Sequence, residues 1–189
     1  MKKCLLVLGM LALAVSVNAK EIVLRAGLNV SGDEKYSANS FSVSGKTDTG
    51  FAFGMEVLEK TGENTKIGAG VEFLFDRIEK EIAGVNVASY ESKFGFIPVY
   101  GTLNYFFPKS DIFARANLGY NLSFSGNSMF KGNSSLSGGL YWAIGFGTKL
   151  ANTVRLELVY GTYNGVMKTP SVSVDFAYTP ISVLLSFSL

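Results

Sequence analysis

The chain has 189 residues, of which 17 are Lys or Arg and 15 are Asp or Glu, with one cysteine and no histidine. Although 48% of the residues are hydrophobic, no apolar run approaches the roughly 20 residues that a transmembrane helix needs. This composition argues against a helical membrane protein, against a nucleic-acid-binding protein, which needs a basic stripe, and against a small domain held by disulfides.

The first residues of the chain are typical of a cleavable signal peptide. Lys2 and Lys3 precede an apolar run from Cys4 to Val15, and small residues follow up to Ala19. The run is too short to cross a bilayer as a helix, and Ala19 suits a cleavage site that leaves Lys20 as the first mature residue. The alternatives are a buried N-terminal helix and a membrane anchor.

We therefore expect residues 1–19 to be a signal peptide and residues 20–189 to form one domain. Cleavage would remove the single cysteine and two lysines, so that the mature chain has as many basic as acidic residues. Its charges are scattered along the sequence, and we expect no nucleic-acid partner.

Apolar residues recur at every second position in eight segments after the leader, which is the period of a β-strand. In the first segment Ile22, Leu24 and Ala26 alternate with Val23, Arg25 and Gly27. The segments cover roughly residues 22–30, 51–57, 67–75, 90–106, 112–124, 140–147, 154–161 and 172–189. They predict an all-β chain folded as an eight-stranded antiparallel up-and-down barrel.

The residues that alternate with the apolar ones in each segment distinguish a soluble from a transmembrane barrel. A soluble barrel would expose these positions to water and carry Lys, Glu, Ser and Thr there, but here they are mostly Gly, Ala and Asn. Small residues suit the narrow interior of an eight-stranded barrel, which side chains fill. Aromatic residues of the apolar parity collect at two levels, as in the two aromatic girdles of a membrane barrel: Phe51, Phe73, Phe75, Phe124 and Tyr160 at one, and Tyr105, Phe107 and Phe187 at the other.

The connections between the segments alternate in length, as they do in transmembrane barrels. Long loops are predicted over residues 31–49, 76–89, 125–136 and 164–171, and tight turns near residues 60–64, 108–110 and 151–152. Because tight turns lie at the periplasmic end of such barrels, the barrel would start and end on the periplasmic side.

The chain resembles the small outer-membrane β-barrel proteins that include OmpX, the OmpA membrane domain, OmpW and the Opa adhesins. The resemblance covers the mature chain and is carried by residues 97–107 (IPVYGTLNYFF), by residues 140–163, and by the last strand, in which Val183, Leu185 and Phe187 alternate. Such proteins usually end in an aromatic residue, whereas this chain ends in Leu189. The resemblance implies a monomer in the outer membrane that contacts lipids and lipopolysaccharide and is assembled by the barrel-assembly machinery through its C-terminal strand.

The absence of histidine bears on catalysis, because the enzymes of this class of barrel use a histidine in their active sites. Asp76 and Glu79 form a conceivable carboxylate pair, but we interpret them as charged loop residues. No cluster of Cys, His and carboxylates has metal-ligand spacing, so no cofactor is implied. We expect the protein not to be an enzyme.

Two functions remain open. The first is a structural or surface-interaction role, in which a closed barrel carries loops that meet a host or envelope ligand. The second is a narrow channel or conduit for small or hydrophobic solutes, as in OmpW-like members. An eight-stranded lumen is normally filled by side chains, which favours the first.

Two prolines coincide with a change of apolar parity. In the last segment the apolar parity changes from even to odd at Thr179-Pro180, and a similar change surrounds Pro98. Because proline cannot donate to a strand ladder and is tolerated at bulges, we expect a β-bulge at each position.

Six charged residues occur on the inward parity at similar heights above the periplasmic end: Arg25, Glu56, Glu72, Arg115, Arg155 and Glu157. At about 3.3 Å per residue they would lie within a slab on the order of 13 Å thick. The three arginines and three glutamates predict an ion-pair network that closes the lumen.

Overall fold

The computed structural model describes residues 21–38, 41–86, 93–124, 135–168 and 172–189. The predicted signal peptide lies outside these ranges. The described residues form ten strands: β1 Glu21–Ala38, β2 Phe41–Thr47, β3 Gly50–Lys60, β4 Thr65–Ile82, β5 Val85–Asn86, β6 Lys93–Phe106, β7 Ile112–Phe124, β8 Ser135–Lys149, β9 Val154–Lys168 and β10 Ser173–Ser188. Within the same ranges no helix is long and apolar enough to cross a membrane.

The strands close into an antiparallel barrel with eight strand positions, as the sequence predicts. β1 pairs with β10 on one side, which closes the sheet, and with both β2 and β3 on the other. β2 and β3 therefore share one position in the wall. β3 occupies the lower part, towards the end with the tight turns, and β2 occupies the upper part, towards the opposite end. The two-residue β5 forms a short hairpin with the end of β4.

The lower part of the barrel is apolar outside and polar inside, which is the membrane type. Arg25 and Asn29 on β1 are buried, while Ile22 and Leu28 on the other parity are exposed. Large apolar side chains face outward around the whole wall, among them Phe53, Leu118, Ile144, Phe146 and Leu158. This surface requires lipid, because a contiguous apolar belt of this size is not stable in water.

The two predicted levels of aromatic side chains are on this outer surface. Phe51 is 69% and Phe75 53% exposed at the upper level, and Tyr105 and Phe107 are exposed at the lower one. The side chain of Phe124, which was assigned to the upper level, is outside the described part of the chain.

Tight turns connect the strands at the lower end, over residues 61–64, 107–111 and 150–153. At the upper end three of the four predicted long loops are largely wrong, and the fourth, over residues 125–136, lies outside the described residues up to residue 134. Most of residues 31–49 form the end of β1 and all of β2, residues 76–82 belong to β4, and residues 164–168 belong to β9. These segments lack the apolar-outward alternation because they stand above the lipid, where the outward side chains meet water.

The β-bulges predicted at the two prolines are also wrong. β10 pairs with β1 at every residue from Asp175 to Ser188, and β6 pairs with β7 from Gly95 to Phe106. On the other side of each strand the ladder is interrupted without a register shift, because Thr179 and Pro180 do not pair with β9, and Ile97 and Pro98 do not pair with β4. The register shifts are in the partner strands instead, next to Val30 in β1 and between Leu74 and Arg77 in β4.

The change of apolar parity has a different cause. In β10 the even-numbered residues stay buried from Phe176 through Tyr178, Pro180 and Ser182, so the same parity faces the lumen throughout. Below Pro180 the inward residues of β10 are largely polar because they face the charged lower lumen. Above Pro180 the lumen is apolar and the outside of the wall faces water. The polarity of the lumen therefore changes at Pro180, while β10 keeps the same residues on its inward side.

Candidate functional site: the lumen of the barrel

Five charged side chains meet in the lower half of the lumen, and we call them the ion cluster: Arg25 of β1, Glu56 of β3, Glu72 of β4, Arg115 of β7 and Glu157 of β9. None is more than 4% exposed. Each is on the parity that faces away from lipid, and the antiparallel register brings the five strands to the same height.

Arg25 is the centre of the ion cluster. Its Nη1 lies 3.0 Å from Glu56 Oε1 and 3.3 Å from Glu72 Oε2, and its Nη2 lies 3.1 Å from Glu157 Oε2. One guanidinium thus joins three carboxylates from three strands, which is a use for which the planar five-donor group of arginine is suited.

Arg115 joins two of the same carboxylates from the opposite side. It donates to Glu56 and to Glu157, and its Nη2 also lies 3.2 Å from Asn117 Oδ1 on its own strand. Glu56 and Glu157 are therefore each shared between two arginines, while among the described residues Arg25 alone is a cationic partner of Glu72.

Neutral hydroxyl groups complete the coordination of the carboxylates. Tyr100 donates to Glu56 at 2.9 Å and accepts from Arg25 at 2.9 Å, and Tyr163 donates to Glu72 at 3.1 Å. Gly70 leaves the space for this arrangement, because a Cβ there would lie 2.8 Å from Glu56 Cγ and from the Tyr100 ring.

Arg155 is not part of the ion cluster, contrary to the interpretation of the sequence. Its guanidinium donates to Glu21 and, at 3.0 Å, to Ser188, close to the lower end of the barrel, which the sequence predicts to be periplasmic. Glu21 also accepts from Lys66. The ion cluster therefore contains two arginines and three glutamates instead of a balanced set, and Arg155 is the next positive charge below it.

A core of aromatic side chains fills the lumen above the ion cluster. Phe94, Phe96, Phe176 and Tyr178 are all at most 1% exposed, with ring centroids of contacting pairs 5.2–6.3 Å apart. The aromatic core also contains Tyr36, Tyr100, Tyr141 and Tyr163. Tyr100 and Tyr163 belong to both layers, since their rings pack in the core and their hydroxyls bind the ion cluster.

A gap in the strand ladder lies beside this core. Regular pairing of β3 with β4 ends at Ala52 and Leu74, and pairing of β2 with β4 begins again at Thr47 and Glu79. Arg77 fills the interval from the lumen side.

The Arg77 guanidinium supplies hydrogen bonds that the ladder lacks at the gap. It donates to the carbonyl oxygens of Phe51 at 2.8 Å and Phe75 at 2.6 Å, and to Asn29 Oδ1 at 2.6 Å. Gly50 allows this approach, because a Cβ there would lie 1.7 Å from Arg77 Nη1.

The upper mouth of the barrel, which the sequence predicts to be extracellular, contains an apolar cavity of about 270 Å³. Its wall is formed by Tyr36, Ala38, Phe41, Val43, Ile82, Met167 and Val174. Tyr36 packs on Phe176 with a centroid distance of 5.1 Å, so the cavity is closed below by the aromatic core.

The structure does not test the carboxylate pair that the sequence suggests. The side chains of Asp76 and Glu79 are outside the described part of the chain, and their backbone belongs to β4 instead of a loop. Among the described residues no group of three or more His, Cys, Asp or Glu side chains is arranged so that it could hold a metal ion. The hydroxyl partners Tyr100 and Tyr163 were missed in the sequence, although their position on the inward parity between small residues was a usable signal.

No protein-family model matches the chain, and no curated protein matches its sequence. Its structure is similar to three solved outer-membrane proteins. Neisserial surface protein A has a TM-score of 0.51 and 14% identity over 88% of this chain and 96% of that one. The attachment invasion locus protein Ail of Yersinia pestis has a TM-score of 0.50 and 10% identity, covering 88% and 98%. AlkL in lipid bilayers has a TM-score of 0.50 and 15% identity, covering 92% and 93%.

At these identities the likeness concerns the fold. It agrees with the closed eight-position barrel, the two aromatic levels and the lipid-facing apolar belt described above. The chain is a small eight-stranded β-barrel of the outer-membrane type, with the apolar belt that such a barrel presents to lipid.

Proposed function

We propose that the protein is a closed, non-catalytic barrel whose extracellular part binds a host or envelope ligand. The observation that carries the proposal is that two layers of side chains fill the lumen, the ion cluster below and the aromatic core above. An eight-stranded barrel has just enough interior for side chains, and both layers here consist of large side chains that contact each other. A continuous water path between them would require several of these side chains to move together.

The extracellular part supports the surface-interaction role. The β1–β2 hairpin and the upper ends of β9 and β10 continue the wall beyond the lipid, with Asp33, Lys35 and Lys46 exposed. Phe41 and Val85 are also exposed there, at 68% and 63%. Apolar side chains exposed to water on a rigid wall are suited to contacts with another molecule.

Conductance tests the closed lumen. We expect the refolded protein in planar bilayers to give no discrete current steps. Stable steps that reproduce between preparations and vanish when the lumen is blocked would contradict this part of the proposal and support a channel.

A shortened hairpin tests the surface-interaction role. Deletion of Ser37, Ala38, Phe41 and Ser42 removes two cross-strand pairs and preserves the remaining register from Tyr36 and Val43 downward. We expect pull-downs from native envelopes or host membranes to recover a component with the wild type that this variant loses. A gel-mobility assay of the unheated protein checks that the shortened barrel is folded, and identical recovery by both proteins would contradict the proposal.

A second candidate, capture of a small apolar solute, is favoured by the cavity at the extracellular mouth. Its seven lining residues are apolar or aromatic, and burial of apolar surface there would stabilise a bound hydrocarbon by about 25 cal/mol per Å². In methyl-labelled protein we expect toluene to shift the resonance of Met167, which lines the cavity. Met55, on the outward parity of β3, is the internal control, and equal shifts of both methionines would indicate partition into lipid only.

The remaining interactions are proposals that follow from the fold. We infer that residues 1–19 direct export and are removed, and that the C-terminal strand is read by the barrel-assembly machinery despite ending in Leu189. The protein would then act as a monomer surrounded by lipid and lipopolysaccharide. Replacement of Leu189 by Phe tests the second point, because assembly should become faster or stay unchanged and should not fail.

A further inference from the structure

The lowest inward-facing side chains of the eight strand positions form a ring at the periplasmic mouth, which we call the periplasmic ring. In order around the barrel these are Glu21, Lys60, Lys66, Phe106, Phe113, Lys149, Arg155 and Ser188. Four members are cationic and one is anionic. The periplasmic ring is thus a local excess of positive charge in a chain whose charges almost balance overall.

The cations are arranged as two cross-strand pairs of like charge. Lys60 is directly opposite Lys66 in the β3–β4 ladder, and Lys149 is directly opposite Arg155 in the β8–β9 ladder. Like charges at directly opposed positions destabilise a sheet. Two such pairs on the same face therefore cost stability unless an anion compensates them.

Three of these cations also converge on one aromatic ring. Lys66 Nζ lies 5.3 Å, Lys149 Nζ 5.0 Å and Arg155 Cζ 5.6 Å from the centroid of Phe106. The ring face attracts each cation weakly, but it holds them close together without neutralising them.

The carboxylates within reach do not balance this charge. Glu21 accepts from both Lys66 and Arg155, while neither Lys60 nor Lys149 has an ion-pair partner among the described residues. The adjacent turns add Glu63, Lys109 and Asp111, which are exposed and make no ion pair with the periplasmic ring in the described part of the chain.

We propose that the periplasmic ring is a binding site for a phosphate group. The Lys60–Lys66 pair lies on one side and the Lys149–Arg155 pair on the other, with Phe106 and Phe113 between them. Phosphate presents three or more anionic oxygens, one or two more than the carboxylate of Glu21, and can therefore contact cations that Glu21 leaves without a partner. The buried Arg155 Nε, which has no hydrogen-bond partner among the described residues, is a further donor at this level of the lumen.

The phosphate can belong to a soluble periplasmic molecule or to the headgroup of an inner-leaflet lipid. Both sources share the chemistry that the periplasmic ring recognises. Neither requires passage through the lumen, so the inference is independent of whether the barrel conducts.

Titration with inorganic pyrophosphate tests the site. The protein is refolded in maltoside micelles, which contain no phosphate, and binding is followed by calorimetry at low ionic strength. We expect saturable binding of one pyrophosphate per barrel, weakened about tenfold by Lys149→Gln and strongly reduced in 0.5 M salt, because partly exposed charges are screened. Lys46→Gln, which removes an exposed lysine at the extracellular end, is the matched control and should change the affinity less than twofold.

A second arm of the titration identifies the source of the phosphate. Phosphatidylglycerol added to the micelles should compete with pyrophosphate if the site takes a lipid headgroup, and should have no effect if it takes a soluble phosphate. Absence of saturable binding to the wild type overturns the proposal, as does an equal loss of affinity in Lys149→Gln and Lys46→Gln.

Discussion

Replacement of Arg115 by alanine removes one of the two cations of the ion cluster. The side chain is 1% exposed and pairs with Glu56 and Glu157. After its loss three buried carboxylates face Arg25 alone. Removal of one partner from a buried ion pair costs about 3 to 5 kcal/mol, mainly because the remaining charge stays buried without compensation. We therefore expect the free energy of unfolding of Arg115→Ala to fall by about this amount.

Urea titration of the protein in lipid vesicles measures the effect, with Trp142, the only tryptophan of the chain, as the fluorescent reporter. For a denaturant slope of about 2 kcal/mol/M, the loss corresponds to a decrease of roughly 1.5–2.5 M in the urea midpoint. Lys80→Ala is the control, because Lys80 pairs with Asp48 at 2.9 Å while 54% exposed, and such pairs contribute only about 0–1 kcal/mol. Equal midpoints for the two variants would refute the reasoning.

Three further predictions, made with four substitutions, concern the side chains of the lumen and the strand gap. Glu72→Gln should destabilise the barrel less than Glu157→Gln in the same urea titration, because Glu72 has one arginine partner and Glu157 has two; the reverse order would contradict the unequal sharing of charge. Gly50→Val should displace Arg77 from the strand gap and increase hydrogen exchange of the neighbouring amides, and unchanged exchange would show that the gap does not depend on Arg77. Phe96→Ala should lower stability by about 3–5 kcal/mol, and a midpoint equal to that of wild type would argue against a tightly packed aromatic core.

The sequence predicts the barrel well because alternation is a direct consequence of a wall with two different sides. Ile22, Leu28 and Arg25 take the predicted faces, and the tight turns are at the predicted places. Alternation does not show which solvent lies outside, however. At Tyr178 and Phe94 the apolar residues are the inward ones, because the outside of the wall there faces water. This exchange of sides, and not a β-bulge, produces the change of apolar parity in the sequence.

The candidate site was predictable in composition but not in connectivity. Counting residues from the strand ends brings Arg25, Arg115 and Glu157 to one height, and in the structure Glu157 pairs with both arginines. Arg155 is only two residues from Glu157 along β9, and a count along single strands does not resolve which neighbour it meets. Its pairing with Glu21 depends on the closure of β1 against β10, which joins the two ends of the chain and has no local signal.

Above Pro180 the apolar side chains face the lumen and the outer side of the wall faces water, so the barrel extends beyond its lipid-facing belt. From Gly32 to Ala38, β1 continues for seven residues past the register shift at Val30, which corresponds to a height on the order of 18 Å for strands tilted by about 40°. Because this section packs around its own aromatic core, its rigidity does not depend on the surrounding lipid. The upper ends of β1 and β2, at Ala38 and Phe41, are thus held at a constant distance from the lipid-facing apolar belt, whereas a flexible loop of equal length would have no fixed height above that belt.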